Sequence, residues 1–118
     1  MPLFIDSTDV DVAEFLLATL GLKVGGLPET SVAMMRSMLT HPEAAETARA
    51  ALGQQVEQIG AVIPDDDPRL RAALIIATML GVTIGRKLLD IEELRDASAD
   101  RITELLRPCF RALVGKRT

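Results

Sequence analysis

Between Asp67 and Leu89 the chain carries Ala73, Ala77, Gly81 and Gly85 four residues apart, set among fatter apolar residues. On a helix such a line of small side chains makes a shallow groove along one face, where another backbone can approach closely. Leu74, Ile75, Ile76, Met79, Leu80, Val82 and Ile84 leave almost no polar side on this helix. A helix that is apolar all round must be covered all round. A chain of 118 residues has few elements with which to do that. A second copy of the protein is therefore the expected cover for the small-residue face, and a homodimer is the first expectation.

What surrounds this helix is expected to be helical too. Nearly half of the residues are apolar, yet the aromatics are three Phe with no Tyr or Trp, so the core is built from Leu, Ile, Val, Met and Ala. Ala and Leu favour helices, and no convincing period-2 run bounded by turn residues suggests a strand. The expectation is an all-α chain of five helices in one domain spanning residues 1–118. The first is read from about Thr8 to Leu22, closed by Gly21 and Gly25-Gly26. The second is read from Pro28 and Glu29 to about Leu39. Thr40 and Glu43 fit a capping box for the third, which should end near Ile63. Asp67 caps the fourth, with Pro68 in its first turn, to about Leu89. A short turn is allowed between Asp90 and Ala97. Ser98 caps the last helix, Ala99 to Val114, in which Ile102, Leu105, Leu106, Cys109, Phe110 and Leu113 follow the helical template and Pro108 should cause a bend.

Charge and motifs narrow the function classes. A formal net charge of −4 argues against a sequence-independent nucleic-acid surface, which needs clustered Lys and Arg. Arg86 and Lys87 complement the dipole of a helix end. The lone Cys109, on an apolar stripe, reads as a buried structural thiol, compatible with a reducing cytoplasm. The start Met1-Pro2-Leu3 lacks the features of a signal peptide. The apolar stretch from Ala72 to Gly85, about 14 residues flanked by arginines, is shorter than the roughly 20 needed to span a bilayer. Catalysis has little support: His41 is the single histidine and lies where a helix opens. No Cys/His cluster has metal-ligand spacing, and Asp65-Asp66-Asp67 reads as a solvated helix start. No enzyme activity and no cofactor are expected.

Several of these features together resemble the C-terminal, ligand-binding and dimerisation domain of the tetracycline-repressor-like (TetR) family of bacterial regulators. They are Thr40-His41-Pro42-Glu43-Ala44-Ala45, Asp67-Pro68-Arg69-Leu70-Arg71-Ala72-Ala73-Leu74, Leu80-Gly81 with Arg86 and Leu88, and Leu105-Leu106-Arg107-Pro108, in that order. The resemblance implies a transcriptional regulator whose last two long helices form a dimeric four-helix bundle, with an effector pocket among the preceding helices. Operator DNA is bound in that family by an N-terminal helix-turn-helix domain; nothing before Asp9 can hold its three helices. DNA binding is thus expected only through a domain absent from this chain.

Two sets of site residues follow. Met34, Met35 and Met38 of the second helix are expected to face Ile75, Thr78, Met79 and Val82 of the fourth, around a small apolar effector. Ala73, Ala77, Leu80, Gly81, Ile84, Gly85 and Leu88, with Phe110 and Leu113 of the last helix, are expected in the dimer seam. The alternative is a structural helical interaction protein that dimerises over a filled core and takes no effector.

Overall fold

A computed structural model describes residues 11–26 and 28–115, and six helices order them: α1 Val12–Gly26, α2 Glu29–Thr40, α3 Pro42–Gly60, α4 Pro68–Lys87, α5 Glu92–Asp96 and α6 Ala99–Val114. No strand occurs among the described residues. The all-α expectation holds, with the allowed turn after Asp90 resolved as the one-turn helix α5.

The core lies where α1, α4 and α6 meet. Leu16, Leu17, Leu20 and Val24 of α1 bury against Ala72, Ile75 and Met79 of α4 and Ile102, Phe110 and Val114 of α6, with Ile63 closing the end. The aliphatic residues recur at steps of three and four along each helix, so each turns one stripe inward. α3 packs along α4, α2 packs on α3, and α5 sits on α4.

The ends of the helices depart from the sequence reading in instructive ways. α1 runs through Gly21 and on to Gly26. The start read at Thr8 falls outside the described residues. Thr40 is the last residue of α2 rather than a cap: its hydroxyl donates back to the Arg36 carbonyl at 3.0 Å, and His41 stands at the N-cap of α3 without a side-chain bond to that helix, its ring nitrogen lying 2.9 Å from the Thr40 hydroxyl. The capping box is therefore not formed, because a Thr that bonds its own preceding turn has no oxygen aimed at the next helix. Asp67 likewise makes no side-chain cap; its backbone is left-handed, φ 50°. Ser98 does cap α6, accepting from the Arg101 amide at 3.1 Å. α6 continues without interruption through Pro108.

Two arginines fasten α4 at its ends. At the start, Arg71 donates to the carbonyls of Ala112 at 3.0 Å and Leu113 at 3.1 Å, and to Asp66. At the far end Arg86 donates to the carbonyls of Leu94 at 2.6 Å and Ala97 at 2.8 Å, just before α6 begins. Both take up carbonyls that helix ends leave unpaired. The α6 C-terminus thus lies by the α4 N-terminus, so the two helices run antiparallel.

α1 is also antiparallel to α6, joined by a charged seam. Glu14 accepts from Arg107 and from Arg111, and Asp11 pairs with Arg111 at 3.3 Å. The hydrogen bond from Arg107 chiefly holds the Glu14 carboxyl below its ordinary value of 4.5, the charges of Arg107 and Arg111 adding to it against some desolvation. A depressed carboxylate contributes stability that is fully present above the unfolded value and is lost as pH falls through the folded one. The urea midpoint should therefore drop as pH is lowered from about 5 to about 3, and Glu14→Gln should flatten that drop while lowering the neutral-pH midpoint slightly. An equal acid dependence in the variant would remove Glu14 from the linkage.

Candidate functional site

The side of α4 turned away from the core is apolar and open. Leu70 is 59% and Leu74 46% exposed, Ala77 and Gly81 are exposed, and Ala73, Leu80, Ile84 and Leu88 are half-buried. From Leu70 to Leu88 this line steps by three and four and carries no charge. Opposite it, Ala72, Ile75, Ile76, Met79 and Thr83 are buried. On antiparallel α6, Leu105 is 62% exposed, and Cys109 and Ala112 are exposed one and two turns further along the same face. Helical phase puts these residues beside the junction with α4, so the two open lines flank one seam. An exposed apolar surface of this extent marks an interaction site.

Not all of the expected seam lies there. Gly81 does: nothing in the subunit comes within 4 Å of the place a Cβ would take. At Gly85 the same position is filled by Leu94 Cδ1 at 2.7 Å and Ile91 Cδ1 at 3.3 Å. Gly85 is thus the seat of α5 within the subunit. The cause is geometric: at 3.6 residues per turn, strict steps of four advance around the helix, carrying the fourth small residue off the face. Phe110 is completely buried in the α1–α4–α6 core, and Leu113 is half-buried against it. Both therefore pack within the subunit. Cys109, expected inside, is outside. Leu70, Leu74 and Leu105 are the bulky residues on the open face. Following the helical phase of Ala77 and Gly81, rather than the four-residue spacing, would have found the first two.

The expected pocket residues are not brought together. On α2, Met34 is 71% exposed and Met35 and Met38 are half-buried, while Ile75 and Met79 of α4 belong to the core. Val82 packs against that core, and the Thr78 hydroxyl is taken by the Leu74 carbonyl at 2.8 Å. α3 packs on both α2 and α4, and α2 makes no substantial packing of its own on α4. Among the described residues no group of three or more His, Cys, Asp or Glu side chains could hold a metal ion.

By length and composition α4 is also the one helix among the described residues apolar enough to cross a membrane, and 28% of its apolar window is buried inside the subunit. Its charges decide between bilayer and protein as cover. Arg71 and Arg86 bracket about 14 residues, or roughly 21 Å of helix, against a hydrocarbon core of about 30 Å.

Comparison with known proteins gives one family. The sequence model described as tetracyclin repressor-like, C-terminal domain, matches residues 12–114, which takes in all six helices. No curated protein and no solved structure matches the chain.

Proposed function

Because the chain belongs to the tetracyclin repressor-like C-terminal domain family, we propose that it is the effector-sensing and homodimerisation domain of a transcriptional regulator. Domains of this family generally sense ligands and dimerise, and they are regulatory rather than enzymatic. The observation that carries the dimer reading is the open apolar line of α4 and α6. Two copies meeting along it would bury on the order of 2,000 Å² or more, the range of stable homodimers. Close approach at Ala77 and Gly81, with Leu70, Leu74 and Leu105 around them, gives a small-residue centre and a bulky rim.

The effector reading rests on the family and on the methionines of α2, whose thioethers adapt to varied apolar shapes. We take Met34, Met35 and Met38 as the proposed site on α2; Ile75, Met79 and Val82 pack in or against the α1–α4–α6 core. Effector binding would act as a population shift, favouring one disposition of the helices, with the dimer seam carrying it to the spacing of two DNA readers. Those readers would be helix-turn-helix domains outside this chain. The family's regulators are soluble, and we place this one in the cytoplasm.

A filled core supports the second reading, a dimerisation domain with no effector, because Ile75 and Met79 are spent inside. Native mass spectrometry of the purified protein separates the two. A dimer carrying extra non-covalent mass supports the sensing reading. A dimer without added mass, and without thermal stabilisation by apolar compounds, supports the structural one. A monomer at micromolar concentration overturns the dimer.

A further inference from the structure

Among the described helices longer than two turns, α2 is the one that buries no residue. None of its 12 residues is buried, whereas α1, α4 and α6 each bury several. Its half-buried residues are Ser31, Val32, Met35, Ser37 and Met38, and α3 is the helix it packs on. Side-chain bonds do not add to this. Those from Thr40 stay within the helix and its cap, and among the described residues neither Glu29 nor Arg36 forms an ion pair. Pro28 stands at its N-cap without a side-chain bond. Before it come Gly25 and Gly26, where among the described residues nothing beyond the helix's own backbone and the adjoining residues approaches a Cβ position within 4 Å.

A helix of this length is marginal in water without tertiary support, and Thr30, Ser31, Val32, Ser37 and Thr40 are poor helix formers. Low burial and few cross-links are what mark a locally opening unit. We propose that α2 is a movable cover: it opens and recloses as a unit while α1, α3, α4 and α6 stay folded, baring Met35, Met38 and the side of α3 beneath. Its pivots are Gly25-Gly26 at one end and the extended His41 at the other. α3 remains in place because its half-buried Val56 and Ile59 pack against the core and its end, Gly60, is buried so closely that a Cβ there would lie 3.4 Å from the Pro68 carbonyl oxygen. This inference stands on packing alone and holds whether or not an effector binds.

Hydrogen exchange of the purified protein, read by mass spectrometry under native conditions, tests it. The amides of α2 should exchange together and at least about 100-fold faster than those in the middle of α3, α4 and α6. Limited trypsin digestion is the second readout. Cleavage after Arg36 should precede cleavage after Arg49, Arg69 or Arg101, although all four side chains are exposed. Protection of α2 equal to that of α4 would overturn the proposal. So would α3 exchanging in step with α2, since the two helices would then open as one hairpin.

Discussion

Gly81→Leu should leave the subunit folded and dissociate the proposed dimer. Leucine is the better helix former by about 0.8–1 kcal/mol, and nothing in the subunit lies within 4 Å of the new Cβ. The helix itself therefore gains. In a two-fold seam the same side chain enters twice, once from each copy. Overpacking costs about 1–3 kcal/mol per site, so the two insertions weaken association by about 2–6 kcal/mol, roughly 30-fold to 10⁴-fold in Kd. Sedimentation velocity over a range of concentrations should show helical monomers where the parent chain is dimeric. An unchanged dissociation constant would take Gly81, and with it the α4 face, out of the interface.

Phe110→Ala should do the opposite, unfolding the subunit rather than parting two subunits. Phe110 is the largest side chain fully withdrawn from solvent. Truncating a buried phenylalanine costs about 3–5 kcal/mol through lost transfer energy and the cavity left behind. Against a total stability of about 5–15 kcal/mol, that is about a fifth or more of what holds a domain of this size together. The urea midpoint should fall by on the order of 2 M. The dimer dissociation constant of the molecules that remain folded should change little. The reverse pattern, weak association with near-parental stability, would return Phe110 to the seam where its sequence position had suggested it.

The contrast between these two residues shows what the sequence can and cannot say. Helix order, the Ser98 cap and the apolar stripe of α6 were legible because each depends on spacing within one helix. Whether Phe110 faces a neighbouring helix or a neighbouring subunit depends on which side α1 occupies, and no local pattern records that. Gly85 failed for a related reason: the five-residue α5 that fills its groove is too short to announce itself by periodicity. The α2 methionines and the α4 residues both looked inward, yet pairing them required knowing that α3 packs on both. Caps at Thr40 and Asp67 were plausible by residue type, and the structure turned one side chain backward and put the other's backbone in the left-handed region. A cap is a geometry, and the residue name only permits it.

The antiparallel seam of α1 on α6 also decides how the chain is threaded. Asp11 and Glu14, close to the start of the described chain, bond Arg111 and Arg107, close to its end. Arg71 grips the last carbonyls of α6 at the same place. The path through space is thus almost a closed ring, entered and left at one pole, with the α4–α5 turn at the other. Asp11 and Gly115 thus both lie beside the Arg71 grip, so a pull applied at either residue acts on the start of α4 directly, without having to travel the length of the fold.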